Sequence, residues 1–193
     1  MHRGYTSITF KESISGVLKQ TAIHVTRKLE KLIKKWIDRD QNVNSGPLGK
    51  WNATVFYVDR KKCWLLTNGI SKYNVILTDI RAADLKNIQN IFKEAFYTQL
   101  IYDSILTDFK KLDTIVGSLV FLPTDNDRQT TGFQNHRLSE LNWWSYDIGG
   151  LEQVPIRDLN HKINTSPYRI GKGYTQDSFT DSINEMNKLL MNC

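Results

Sequence analysis

WNATVFYVDRKKCWLLTNGISKYNVILT, residues 51–78, carries three apolar, β-branched and aromatic runs separated by two turn signals. In the first run, residues 53–59, Val55 and Tyr57 alternate with Phe56 and Val58, so both faces are apolar, as in a central strand. Arg60-Lys61-Lys62 turns the chain into a second strand at residues 63–67. Asn68-Gly69 is the strongest short hairpin signal in the chain, because both residues tolerate the positive φ of a type I′ turn. Residues 73–78 then complete a three-strand antiparallel meander.

Toward the N-terminus, residues 21–26 are β-branched and read as a strand, and Thr26 is placed to cap a helix starting at Arg27. Leu29, Leu32, Ile33, Trp36 and Ile37 repeat with the i, i+3, i+4, i+7, i+8 spacing of an amphipathic helix over residues 27–37. Its other faces carry Arg27, Lys28, Lys31, Lys34 and Lys35. Residues 40–49 form a loop, and residues 1–20 read as an N-terminal extension or arm. Toward the C-terminus, Leu85, Ile88, Phe92, Ala95, Phe96 and Gln99 mark a helix over about residues 82–102. A shorter helix around residues 105–112 continues from it, and residues 115–122 form a strand ended by Pro123. After a polar turn, Leu138, Leu141 and Trp144 mark a helix stopped by Gly149-Gly150. Ile156, Leu159 and Ile163 mark another, and Phe179, Ile183, Met186 and Leu190 the last. This order predicts a single α+β domain over residues 21–193, an antiparallel or mixed sheet covered by several helices.

A chain of 193 residues that is 40% hydrophobic suits one domain with a real core. The apolar runs are far shorter than the ~20 residues that span a bilayer, and the first residues lack an apolar signal core. Cys63 and Cys193 read as free thiols of a reducing compartment, so the expected location is cytoplasmic. Asn52-Ala53-Thr54 and Asn164-Thr165-Ser166 match the glycosylation pattern by chance. The formal charge of +6 is uneven. Residues 1–96 hold 17 basic against 8 acidic residues, and residues 97–193 hold 9 against 12. A basic front half implies a face attractive to polyanions.

Site chemistry concentrates in residues 125–137, DNDRQTTGFQNHR. In an enzyme, His136 would act as general acid or base and Arg128 would grip a phosphate or carboxylate. Asn126 and Asn135 would orient the substrate, and metal-independent phosphodiester chemistry fits such a set. The plain structural alternative has Asp125 and Asp127 capping a helix, Arg128 paired to them, and His136 exposed. The histidines show no metal-ligand spacing, and no cofactor motif is present. Gly171-Lys172-Gly173 lacks the context of a phosphate loop and reads as a turn. A nucleic-acid surface would use Lys28, Lys31, Lys35, Arg60, Lys61 and Lys62 for phosphates, with Trp51, Trp64 or Tyr73 stacking on bases. Trp143 and Trp144 point about 100° apart on one helix, so one ring covers core while the other reaches the surface beside Tyr146. That exposed ring suits a protein partner.

Several blocks together resemble an uncharacterised bacterial family known only as a domain of unknown function. They are Thr26-Arg27-Lys28-Leu29, Leu48-Gly49-Lys50-Trp51, the hairpin from Asp59 to Cys63, and Asp84-Leu85-Lys86-Asn87. With them go Arg128, Gly132 and Asn135 at four- and three-residue spacing, and Leu159-Asn160 with Ile163-Asn164 and Pro167. Asp127 stands where the family has Asn before the arginine, and His136 where it has an acidic residue. The resemblance spans about residues 21–190 and implies no established activity. It implies a small cytosolic protein of mobile or accessory bacterial DNA, in a defence, toxin–antitoxin or phage-related setting. The expected function is binding of nucleic acid or a protein partner; the alternative is a nuclease or other phosphate-handling enzyme centred on Arg128, Asn135 and His136.

Overall fold

The computed structural model describes residues 19–39, 43, 45–105, 107–170 and 175–193. The arm, apart from Lys19 and Gln20, and the Gly171-Lys172-Gly173 turn lie outside the described residues. A mixed five-stranded sheet runs in the order β4-β3-β2-β1-β5. Its strands are β1 (Gln20–Val25), β2 (Trp51–Val58), β3 (Lys61–Asn68), β4 (Asn74–Leu77) and β5 (Ser118–Leu122). The meander β2-β3-β4 is antiparallel. β1 pairs parallel with both β2 and β5, which makes the sheet mixed.

Helices cover both faces. On one side lie α1 (Arg27–Leu32), α2 (Ile88–Tyr102), α3 (Phe109–Val116) and α6 (Ser182–Met191), over Trp51, Val55, Trp64, Phe92 and Phe96. On the other lie α4 (Arg128–Ile148) and α5 (Ile156–Thr165), over Leu65, Ile76, Leu141 and Ile163. This second layer is why β2 is apolar on both faces. A two-stranded ribbon of β6 (Tyr168–Arg169) and β7 (Phe179–Thr180) completes the strands among the described residues.

Unpaired strand edges invite aggregation, and both edges here are covered by side-chain amides. The Asn164 Oδ1 accepts from the Asn74 amide at 2.8 Å, and its Nδ2 donates to the Asn74 carbonyl at 3.0 Å, in the manner of a neighbouring strand. One turn earlier, the Asn160 Oδ1 accepts from the Ile76 amide at 3.0 Å. At the other edge, the Leu119 amide donates to the Gln89 Oε1 at 3.1 Å. Asn52 and Asn164 are 5% and 0% exposed, so both glycosylation matches are shut inside the fold.

Four local expectations are corrected. The tight type I′-like turn lies at Asp59-Arg60 (φ 43° and 61°), where Val58 faces Lys61, and not at Asn68-Gly69. The Asn68 Oδ1 instead accepts from the Ile70 and Ser71 amides, which shapes a longer loop into β4. Thr26 precedes α1 without a side-chain cap; its hydroxyl donates to the Thr54 Oγ1 at 3.2 Å. The helix expected at residues 105–112 is the separate α3, opened by the Asp108 carboxylate accepting from the Lys111 amide and closed at Gly117, so β5 begins only at Ser118. Residues 128–137, read as a turn, are the first turns of α4. The long α4 does end where Gly149 takes φ 73°.

Arg60 is an L-residue held in the left-handed region, which costs about 1–2 kcal/mol. Arg60→Gly is therefore expected to raise stability by about 0.5 kcal/mol after the added freedom of the unfolded chain is offset. Urea denaturation followed by circular dichroism checks it, and a loss of stability would overturn the strain argument.

Candidate functional site

The N-terminal turns of α4 lie over the polar end of the sheet, and a partly buried network fixes them there. The Asp127 carboxylate caps the helix, accepting from the Thr130 amide at 3.0 Å and the Thr130 hydroxyl at 2.9 Å. Lys72, only 8% exposed, donates to the Thr130 Oγ1 and the Gly69 carbonyl, both at 2.8 Å. The Lys50 ammonium bridges the Asp125 Oδ2 at 2.5 Å and the Asp127 Oδ2 at 3.1 Å. Asn52 donates to the Asp125 Oδ1 at 3.2 Å, and His24 Nε2 lies 4.0 Å from the Asp125 Oδ2. Further along, the Gln134 Nε2 reaches the Asn52 carbonyl at 2.7 Å, so α4 is bolted to β2 by polar side chains.

These contacts set the charge states. Burial works against the charged forms of Asp125 and Asp127. In Asp125 it is outweighed by Lys50 and the Asp127 amide, which hold the carboxyl below its usual range. In Asp127 it is outweighed by the Thr130 amide and hydroxyl and by Lys50, leaving a pKa of about 2. The Asp125 hydrogen bond raises Lys50, whereas burial lowers Lys72 against the pull of Asp127.

Above this anchor, α4 presents a ridge between two polar clefts. The first, of about 480 Å³, is lined by Thr26 and Arg27 of α1's start, Thr124, Asn126, Arg128, Thr131, Gly132 and Asn135. The guanidinium groups of Arg27 and Arg128 are exposed and meet no carboxylate among the described residues. The second, of about 440 Å³, includes Lys72, Gln129, Gly132, His136, Tyr168 and Arg169. Gly132 forms the crest common to both, and a methyl group there would meet nothing within 4 Å. Glycine in an exposed helix costs about 1 kcal/mol relative to alanine, so packing does not account for it. What it leaves is bare backbone open to a close approach.

The three residues read from sequence as a catalytic set are thus divided. Arg128 and Asn135, two turns apart on α4, line the first cleft together; His136 opens into the second, across Gly132. Asp127 does cap the helix, whereas Asp125 pairs with Lys50.

The basic residues are also sorted by the fold. Lys28, Lys31 and Lys35 are exposed along α1 and the 3-10 turn Lys34–Trp36 after it. The Lys28 ammonium lies 5.3 Å above the Tyr57 ring, and Tyr57 faces Lys62 across the β2–β3 ladder. Lys62 in turn borders Leu32 and Ile33 of α1's C-terminal end. Lys28 and Lys62 therefore share one face of the sheet, and Arg60 stands at the hairpin tip. Lys61 departs from the group and lines an apolar cavity on the other face. Trp51, Trp64 and Tyr73 are at most 1% exposed and cannot stack on bases. The accessible aromatics in this region are Trp36 and Tyr57, 42% and 51% exposed, which sequence reading assigned to core and strand. Alternation along β2 gives no signal for Tyr57, which shares a face with the buried Trp51, Ala53 and Val55; its exposure follows from its place next to the hairpin tip at Asp59-Arg60.

The two adjacent indoles split as expected. Trp144 is 8% exposed under the Lys162 ammonium at 4.2 Å, whereas Trp143 is 65% exposed and Tyr146, one turn on, 88%. Both thiols are free, Cys63 buried and Cys193 exposed. Among the described residues no helix is long and apolar enough to cross a membrane.

Compared with curated proteins and with solved structures, the chain finds no significant match. A family profile does match it, across residues 22–179. That span holds most of β1, all of β2 to β6, the Lys50–Lys72 network, the Arg128–Gly132–Asn135 ridge and the two asparagines that cover β4, and the chain belongs to the family described as a domain of unknown function, DUF6933.

Proposed function

We propose that the protein binds single-stranded nucleic acid, with the phosphate backbone running from the α1–hairpin face into the cleft beside the α4 ridge. One observation carries the reading: Arg27 at the start of α1 and Arg128 at the start of α4 converge on one open cleft and meet no carboxylate among the described residues. Cations at the positive ends of helices are electrostatically disfavoured, and an anion between them relieves that cost. Lys28, Lys31, Lys35 and Lys62 extend the same sign of charge away from the cleft, and Trp36 and Tyr57 offer ring faces on which bases stack. Arg128 and Asn135 act here as contacts to the strand, so catalysis is not required of them. An exposed thiol at Cys193 suits a reducing cytoplasm, and a bacterial accessory or defence setting suits a small nucleic-acid binder.

The test is fluorescence anisotropy of a labelled 20-nucleotide single strand against the protein at several salt concentrations. Reversing Lys31, Lys35 and Lys62 to Glu is expected to weaken binding by about thirtyfold at low salt and to flatten the salt slope by about 2, at about 0.7 per phosphate contact. Arg128→Glu deepens the loss, and His136→Ala leaves affinity unchanged. Unchanged affinity at low salt after the triple reversal sinks the proposal.

A second reading, a protein partner, has its own observation in Trp143 and Tyr146, exposed one turn apart on α4. It is separable, because charge reversal on α1 leaves that patch intact. Capture of a stoichiometric protein that survives nuclease and is lost in Trp143→Ser supports it.

A further inference from the structure

Under the second layer, away from the ridge, α4, α5 and the segment joining them close over the sheet without filling the space. Phe56 and Val58 of β2, Cys63 of β3 and Ile76 of β4 form the floor; Leu141, Leu151 and Leu159 form much of the roof, and a cavity of about 250 Å³ remains. Protein interiors are packed to the density of organic crystals, with few voids larger than a water molecule. An apolar cavity of about 150 Å³ stays dry and takes up benzene. This one is larger, and its wall is mostly hydrocarbon, with Lys61, Thr78, Asp79 and Glu152 as its polar members.

We propose that this cavity is a binding site for a small, uncharged, apolar ligand of two to three aromatic rings. The rim selects for neutrality. Lys61, Asp79 and Glu152 stand at the mouth, and Asp79 is already engaged by Arg81 at 2.7 Å, so acids and bases balance there. The floor carries no charge either. Cys63 is 1% exposed, and burial raises its thiol above the ordinary value, keeping it protonated at neutral pH. Access is supplied by the connection between α4 and α5. Gly149 and Gly150 hold φ of 73° and 135°, and the short turn Leu151–Gln153 they introduce supplies Leu151 and Glu152 to the roof and rim. A ligand enters by displacing one short turn and leaves the sheet and both long helices in place.

The experiment titrates the protein with N-phenyl-1-naphthylamine and reads fluorescence. Saturable binding at one site per chain is expected, retained in Trp143→Ser, which removes the exposed surface indole. Val58→Phe and Val154→Trp narrow the cavity from the floor and the roof, and each is expected to weaken the probe at least tenfold. A second measurement does not depend on those variants folding. In a Cys193→Ser background the sole thiol is Cys63, and methyl methanethiosulfonate, applied at alkaline pH where the thiolate forms, is expected to reach it through the cavity. The bound probe is expected to slow that reaction at least tenfold. Absence of saturable binding, equal affinity in folded cavity-filling variants, or a Cys63 that reacts not at all or at the same rate with probe present overturns the proposal.

Discussion

Asp103→Ala is expected to cost about 2–4 kcal/mol. Its carboxylate, on a fully buried side chain, accepts from the Tyr73 hydroxyl at 2.5 Å and the Gln99 Nε2 at 3.0 Å, and meets the His161 Nδ1 at 2.7 Å. Those three partners come from the entry to β4, from α2 and from α5. One carboxylate therefore ties elements on the two sides of the sheet together. Burial and the Asp103 charge push the Tyr73 phenol well above its ordinary pKa, so it stays protonated and donates. With Asp103 gone, the hydroxyl of Tyr73, a residue 0% exposed, loses its acceptor where water cannot replace it, while the Gln99 amide keeps the Arg157 carbonyl at 3.1 Å. A buried orphan costs about 1–3 kcal/mol. Tyr73→Phe removes a donor and leaves Asp103 with two others, so about 1–2 kcal/mol is expected. Asp103→Asn keeps one acceptor but turns two donors against Gln99 and His161, and should fall between. Urea denaturation of the four proteins and of the Asp103→Ala/Tyr73→Phe double variant measures this. A cost under about 1 kcal/mol for Asp103→Ala, or strict additivity in the double variant, would remove the network from the account.

The meander and most helices were legible because they bury apolar side chains at the periods of strands and helices. Residues 51–78 need only their own sequence to be read as three strands. The first half of α4 was hidden for the complementary reason. Its buried residues there are Thr130, Gln134 and Arg137, at most 1% exposed, so the inward face is polar and leaves no apolar period. The two terminal nitrogens of Arg137 donate to Glu140 at 2.7 Å and to the Ser166 carbonyl at 2.6 Å, contacts that no local pattern announces. The hairpin was misplaced because Asn68 has two ways to turn a chain. It tolerates positive φ, and its side chain can also bind the amides ahead of it, as it does here. Parallel pairing of β1 with β2 and β5 rests on register across 28 and about 98 residues of separation, which local reading does not reach.

The candidate site divides along the same line. Arg128, Asn135 and the α1 lysines were visible as chemistry-bearing residues, and the charge excess of residues 1–96 indicated their sign. Lys50, Lys72 and Asn52 were passed over, since each sits in or beside a strand run read as structural. They become a site only when the sheet brings them under Asp125 and Asp127. The two aromatics left accessible were likewise decided by what covers the strands and not by residue type.

Asp127 carries the second large expectation, a loss of about 2–3 kcal/mol in Asp127→Ala, because a helix cap and a solvent-screened ion pair with Lys50 disappear together. Capping alone accounts for about 1–2 kcal/mol. The remainder comes from Lys50, left with Asp125, and from Lys72, whose link through the Thr130 hydroxyl then ends on nothing. Asp127→Asn separates the two parts, since asparagine caps as well as aspartate but brings no charge; about half the loss is expected. The same carboxylates set an acid limb. A folded-state pKa below the unfolded value means the unfolded chain binds more protons, so stability rises with pH through that interval. With Asp127 held at about 2 and Asp125 also below its ordinary range, their contribution is complete above about pH 4 and disappears as pH falls toward 2. Lys50 has the opposite sign: raised above its ordinary value, it contributes fully at neutral pH and is lost only as pH climbs through its elevated pKa. Thermal melts of the parent chain from pH 5 to pH 2 should therefore show a falling midpoint, and Asp127→Asn should flatten the lower part of that fall. A variant that loses midpoint as steeply as the parent between pH 4 and pH 2 would show that the acid limb belongs to other carboxylates. It would also show that the start of α4 is held by hydrogen bonds alone, independent of the Lys50 charge.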